Sequence, residues 1–293
     1  MDFGMFVTRE KINAGWSADR KYRVTDAAGS AYLLRITYAA QYETKKTEYE
    51  MMRQVAALGV PMCRPIAFSL TQEGVCAVHE WIDGEDLETV LPEMTREAQY
   101  RYGVQAGQYL KTMHTIPAPE KQECWSSRFN RKIDRKIRMY EDCPLKYEGG
   151  VAFLDYLAEN RYLLSDRPQT FQHGDYHVGN MMLDQDGCLR IIDFNRADFG
   201  DPWEEFNRIV WCAQCSPTFA TGMVNGYFDN TVPLQFWQLL ALYISSNTLS
   251  SLPWAIPFGD TEIATMRRQA AEILCWYDNM RNPIPTWYDS ALT

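Results

Sequence analysis

The chain lacks several features that would decide its class early. No apolar run is long enough to cross a bilayer. The most apolar stretch, Phe236 to Ile244, follows Gln235, contains Gln238 and runs into Ser245, Ser246 and Asn247, so it reads as a buried helix. The first residues, MDFGMFVTREKINAG, have no apolar core flanked by basic side chains, so the reading is a cytoplasmic protein with no membrane partner. Lysine is missing altogether from residues 171–293, where 6 arginines face 14 carboxylates, a net charge of -8. Residues 1–170 hold 23 basic and 24 acidic side chains, so almost all of the chain's net -9 lies in its last 123 residues. That balance argues against a nucleic-acid partner, which needs a basic face.

What is present is an ordinary globular composition: 46% hydrophobic and 23% charged residues over 293 positions, enough for about two domains and a sizeable core. The eight cysteines are scattered, and Cys212 and Cys215 form a C-x-x-C with no second pair or nearby histidine, which reads as core packing of reduced thiols. The run Arg128–Arg138, interleaved with Asp134, reads as a solvated helix face. There is no internal repeat or low-complexity tract.

The first 82 residues read as a strand-rich unit. Tyr22 to Val24, a turn at Asp26-Ala27-Ala28-Gly29, and Ala31 to Thr37 form a hairpin pattern. A helix is expected over 45–58, stopped by Gly59 and Pro61, with further strands near Ile66–Leu70 and Val75–Glu80. After Asp83-Gly84 the chain reads as mostly helical, over 95–116, 150–164, 203–215, 235–250 and 261–280. Between these helices Phe171 to Phe194 is different: a turn-rich loop, then a short hairpin around Asp186-Gly187.

That loop carries the chemistry. His173-Gly174-Asp175-Tyr176-His177-Val178-Gly179-Asn180 is followed by Leu189-Arg190-Ile191-Ile192-Asp193-Phe194. Phosphoryl transfer needs one carboxylate to orient the acceptor hydroxyl and take its proton, and hard oxygen ligands to hold Mg²⁺ on the nucleotide phosphates. Asp175 suits the first role. Asn180, five residues on, and Asp193, thirteen further, suit the second. The spacing is that of the H-x-D-x4-N loop and following Asp of protein kinases. With Gly174 after His173, a second His two residues past Asp175, I-D-F-x-R, and Asp201-Pro202, the chain resembles the aminoglycoside phosphotransferase family more closely than protein kinases. It also lacks an Ala-Pro-Glu element and a long activation segment.

The resemblance implies an α+β, bilobal protein-kinase-like fold, with a nucleotide-binding lobe over 1–82 and a helical lobe over 83–293 holding the catalytic loop and acceptor site. It implies an enzyme that uses ATP or GTP with Mg²⁺. On the third strand Arg35 stands where lysine is commoner in that family, and it would clamp phosphate with Glu48 as its helix partner and Glu50 as the alternative. Gly15 and Ser17 would cover the phosphates, although the segment lacks G-x-G-x-x-G. The carbonyl of His79 and the amide of Trp81 would meet the base. His173 would support the loop and Asp201 would brace it, while His177 reads as a solvent-facing loop residue and His114 as a packing histidine.

The acceptor implied is a small, amine-bearing molecule of the aminoglycoside class, met by carboxylates from Glu204, Glu205, Asp229, Asp260, Glu262 and Asp278. A choline-like amino-alcohol, a sugar or a macrolide are alternative acceptors, and a nucleotide-binding pseudokinase sensor is the alternative outside the enzymes.

Overall fold

The computed structural model describes residues 6–13 and 19–292. In chain order the elements are β1 (Thr8–Ile12), β2 (Arg20–Thr25), β3 (Ala31–Thr37), α1 (Tyr42–Ala57), β4 (Pro65–Thr71), β5 (Gly74–Glu80), β6 (Gly84–Asp86), α2 (Leu87–Val90) and α3 (Arg96–Met113). There follow α4 (Trp125–Glu141), α5 (Val151–Asn160), β7 (Thr170–Gln172), β8 (Met181–Asp184), β9 (Leu189–Ile191), β10 (Asp198–Gly200), α6 (Ile209–Cys215), α7 (Pro217–Phe228), α8 (Leu234–Ala255) and α9 (Asp260–Trp276). This is an α+β fold of two compact units, Met1–Val90 with Gly179–Ala197, and Leu91–Val178 with Asp198–Thr293. A single boundary after residue 82 differs from this division, because the chain returns to the first unit at Gly179 and leaves it after Ala197: the β8–β9 hairpin belongs with the first unit, since β8 pairs antiparallel with β6, Asp184 opposite Gly84 and Met182 opposite Asp86.

In the first unit five antiparallel strands lie in the order β1-β2-β3-β5-β4. The β2–β3 turn is closed by Asp26, whose Oδ1 accepts from the Ala28 and Ser30 amides, both at 2.9 Å. Gly29 sits there at φ +83°, a conformation that excludes most side chains. Because strand side chains alternate between faces, β3 sends Leu34 and Ile36 into a core with Val24, Ala67, Cys76 and Val78. Its other face presents Leu33, Arg35 and Thr37, beside Val75, Ala77 and His79 of β5, to a cavity that Tyr49 and Met52 of α1 also line.

The second unit is helical except for the short pair β7 and β10. α8 buries residues around its whole circumference, which accounts for its apolar sequence, and among the described residues no helix is long and apolar enough to cross a membrane. α7 was not expected from the sequence. Ten of its twelve residues are buried, so it has no polar face and no amphipathic period to read. It packs on α3 through two glycine pairs at helical spacing. A Cβ on Gly103 or Gly107 would collide with the Phe219 or Met223 carbonyl, and one on Gly222 or Gly226 with the Tyr100 or Val104 carbonyl.

Close backbone approach leaves no side chain free to yield. Gly107→Ala is therefore expected to destabilise the protein by about 1–3 kcal/mol, read as a lower midpoint in chemical denaturation with helix content retained below the transition.

Candidate active site

The first unit's cavity has a volume of about 270 Å³ and holds an alternating array of charges on its strand face. Lys21 of β2 lies directly across from Arg35 of β3 in the strand register. Two like charges side by side must be offset, and Asp19 does much of this. Its Oδ2 accepts from Arg35 Nη2 at 2.7 Å and Nε at 3.1 Å, and its Oδ1 from Thr37 Oγ1 at 3.0 Å. The Asp19 carboxyl is held below its ordinary range; burial works against this, and Arg35 and Lys45 overcome it. Burial, then the Arg35 charge, lowers the Lys21 ammonium.

Glu48 lines the same cavity, but its carboxylate is bonded to Lys45 at 2.8 Å and not to Arg35. The expected Arg35–Glu48 pair is thus replaced by Arg35–Asp19. An arginine fork engages one carboxylate through two nitrogens, and Asp19 meets it in that way, while Lys45 stands three residues before Glu48 on the same helix face. Glu50 is no substitute partner, since it pairs with Arg53 at 3.2 Å. Gly15 and Ser17, expected over the phosphates, lie outside the described residues.

The cavity wall nearest the end of β5 is formed by His79, Trp81 and Ile82. His79 is 5% exposed, its Nδ1 has no hydrogen-bond partner among the described residues, and Tyr49 stands edge-on to its ring. Burial, aided by Arg35, holds its pKa down at about 3, so the imidazole is neutral and can present a donor or an acceptor.

Asp193 belongs to this unit too. The β8–β9 hairpin delivers it, with Ile192 N–H donating to the Asn180 carbonyl at 3.0 Å, so the segments bearing Asn180 and Asp193 are tied together. Asp193 Oδ1 accepts from Arg35 Nη1 at 3.3 Å and from Asn195 Nδ2. The backbone at Asp193 is in the left-handed region, φ 64°, which a non-glycine residue adopts only where its surroundings impose it. Asn180 and Asp193 offer hard oxygen donors. Among the described residues there is no cluster of three or more His, Cys, Asp or Glu poised for a metal, so the donor set fits an ion that keeps water and phosphate as most of its ligands, as Mg²⁺ does.

In the second unit the loop bearing Asp175 is held from beneath. His173 is fully buried and its Nδ1 accepts from the Asp175 amide at 3.3 Å. Gly174, at φ +81°, donates its amide to both oxygens of Glu205, at 3.0 and 3.2 Å. Tyr176, also buried, donates its hydroxyl to the Ala106 carbonyl at 2.7 Å. Asp175 Oδ1 is 3.1 Å from Arg208 Nε and 3.8 Å from His177 Nε2. Asp201 is fully buried; it accepts from Arg167 at 2.6 and 2.9 Å and from the Trp203 amide at 2.9 Å, and its carbonyl takes Gln172 Nε2 at 2.7 Å. His114 pairs with the Tyr227 hydroxyl at 2.9 Å, in the core.

The six carboxylates expected to meet a cationic acceptor do not assemble. Glu204 is bonded to Lys132 at 2.9 Å and to Gln172 at 3.1 Å, and Glu205, 1% exposed, is spent on the loop's amides. Asp229 pairs with Lys111, and Asp278 with Arg281. Asp260 and Glu262 lie in the first turn of α9, where carboxylates favour the helix N-terminus. Nor is the Arg128–Arg138 run simply solvated: Arg128 donates to the Phe199 carbonyl at 2.6 Å and to Asp198 at 2.7 Å. The residues sequence reasoning missed are Asp19, Lys21, Lys132 and Arg208; none lies in a motif.

Burial raises the Glu205 carboxyl to about 8, against the backbone amides that pull it down. A folded-state pKa above the unfolded one makes the contribution greatest at low pH and lost as pH rises through 8. Glu205→Gln keeps an oxygen acceptor and removes the titration, so its stability relative to the parent is expected to rise from pH 5 to pH 8, in thermal melts across that range.

The chain matches the model of the phosphotransferase enzyme family APH over residues 8–237. By sequence no curated protein matches it. Its fold is similar to a thermostable mutant of aminoglycoside phosphotransferase APH(4)-Ia in complex with ADP and hygromycin B, at a TM-score of 0.65 and 18% identity, covering 93% of this chain and 95% of that one. It is similar to a choline/ethanolamine kinase family protein from Mesorhizobium loti, at 0.67 and 16%, covering 96% and 92%. It is also similar to the amicoumacin kinase hAmiN in complex with AMP-PNP, Ca²⁺ and Ami, at 0.64 and 16%, covering 96% and 91%. At such identities the likeness is one of fold. The family match, which spans more than half of the chain, places the protein in the APH phosphotransferase enzyme family, as a kinase-like enzyme of small molecules.

Proposed function

We propose that the protein transfers the γ-phosphoryl group of ATP or GTP, with Mg²⁺ on the nucleotide, to a hydroxyl of a small acceptor. The observation that carries this is the 3.3 Å contact between Arg35 and Asp193 in one cavity, a cation suited to phosphate beside a carboxylate suited to the metal. Arg35 and Lys21 hold phosphate oxygens, with Asp19 as the brace. The base lies against His79 and Trp81. Asn180 and Asp193 are the metal ligands, and Mg²⁺ when bound neutralises charge on the phosphates.

Asp175 orients the acceptor hydroxyl and takes its proton. As the hydroxyl oxygen bonds to the γ-phosphorus, the bond from that phosphorus to the β–γ bridging oxygen breaks, and the electron pair leaves with the nucleoside diphosphate. The product is a phosphate monoester. Arg208, 3.1 Å from Asp175 Oδ1, orients that carboxylate. Aminoglycosides and amino-alcohols are the first acceptors to try, with sugars and macrolides next. A cytoplasmic location, where the eight free thiols stay reduced, fits this reading.

Two variants test it. With an acceptor found by mass-spectrometric gain of one phosphoryl group, Asp175→Asn is expected to lower kcat by about 10²–10⁴ while nucleotide still stabilises the protein. Asp193→Ala is expected to lose the Mg²⁺-dependent part of that stabilisation. Retention of parental turnover by Asp175→Asn sinks the assignment of the base, and binding without transfer across the whole panel favours a nucleotide sensor.

A further inference from the structure

Strand alternation puts Leu33 and Arg35 of β3 and Ala77 and His79 of β5 on one face, where all four line the first unit's cavity. Arg35 lies opposite Ala77 and Leu33 opposite His79. The imidazole therefore stands two residues, about 7 Å, along the strands from the level of Arg35. Tyr49 holds the ring edge-on, with centroids 6.5 Å apart. The acidic side chains on this part of the wall are already engaged: Glu80 accepts from Arg64 at 2.8 and 3.3 Å, and Asp83 from Gln185 at 2.9 Å. The His79 side chain, 5% exposed, makes no hydrogen bond among the described residues.

The two ring nitrogens are not equivalent. Nδ1 is sealed from solvent and has no partner, so Nε2 is the atom through which the ring can meet a ligand in the cavity. The imidazole is neutral, with one nitrogen carrying a proton and the other a lone pair. A sealed N–H without an acceptor is rarer in proteins than a sealed acceptor without a donor, so the proton sits on Nε2 and Nδ1 is left bare. His79 thus presents a donor to the cavity. It becomes an acceptor only by moving its proton to the sealed nitrogen, where nothing receives it.

We propose that His79 reads position 6 of the donor's purine through Nε2–H and selects a 6-oxopurine nucleotide, GTP, over ATP. This rests on the reading that the base lies against His79 and Trp81. Guanine offers its O6 as an acceptor for Nε2–H. Adenine carries an amino group at the same position, so two donors would face each other and both would be left unpaired.

Calorimetry of the parent protein with Mg-GTP, Mg-ITP and Mg-ATP tests this. ITP has the 6-oxo group and lacks the 2-amino group of guanine, so it isolates the edge in question. The expected result is that GTP and ITP both bind at least about tenfold more tightly than ATP. His79→Phe, which keeps a ring for Tyr49 to pack on, is expected to abolish the difference. ATP binding equal to or tighter than that of GTP and ITP overturns the proposal. So does a preference for GTP that ITP does not share, since the 2-amino group is then what is read, and so does a preference that survives in His79→Phe. Thermal melts verify that the variant folds. If it does not, ring-nitrogen NMR of the parent decides: the His79 ring is expected to be protonated on Nε2 at neutral pH, and protonation on Nδ1 overturns the assignment. Absence of all nucleotide binding removes the phosphotransferase reading itself, whereas tight ATP binding with transfer to an acceptor leaves that reading intact and sinks only this one.

Discussion

The position of Asp175 depends on how the backbone amides around it are satisfied in a setting that excludes water. The structure meets this need with a single buried carboxyl group. Glu205 accepts the Gly174 amide through both oxygens, and desolvation makes it hold its own proton into the neutral range. Its chain neighbours complete the support. Glu204 joins Lys132 and Gln172, and Asp201 takes Arg167, the Trp203 amide and, through its carbonyl, Gln172 again. Three carboxylates within five residues thus hold the loop from below, and Asp175 is left to face Arg208. The same constraint explains why these acids cannot serve as receptors for a cationic ligand: their oxygens are already spent on groups that would otherwise be buried unpaired.

Net charge and local charge point in different directions here. The last 123 residues sum to -8, which on its own suggests attraction for polycations. Yet much of that charge is paired with arginine or lysine, sits at a helix N-terminus, or is suppressed by burial. Long-range steering responds to the sum over a surface, whereas affinity at a site responds to the few groups within reach and to their desolvation. Around Asp175 those groups include Arg208, 3.1 Å away, and His177, 3.8 Å away.

The first unit shows a related substitution of partners. Arginine in place of the commoner lysine at position 35 brings a planar fork, and the fork selects the carboxylate that can be met by two nitrogens. Asp19 supplies it, leaving Glu48 to Lys45 and one Arg35 nitrogen to Asp193. The lysine next to Arg35 on the neighbouring strand adds a second cation to the cavity, a juxtaposition that exists only through the β2–β3 register, Lys21 opposite Arg35.

The strands and helices with a regular alternation were legible from residue order: the hairpin at Asp26-Gly29, the strands on either side of Glu73, and the helices that carry one apolar face. α7 was not, because burial on all sides erases the period that identifies a surface helix. The candidate loop was legible because Asp175, Asn180 and Asp193 stand at short, fixed spacings along the chain. Asp19, Lys132 and Arg208 were not, because each pairs with a group distant in sequence, and nothing in local composition records such a pairing. The sequence by itself determined the family and most of the element types, and it singled out Asp175, Asn180 and Asp193 as candidates for the chemistry. Only the tertiary structure decided which charges are paired, which are buried and which face the loop, since pairing and desolvation are properties of distance in space and not of order along the chain.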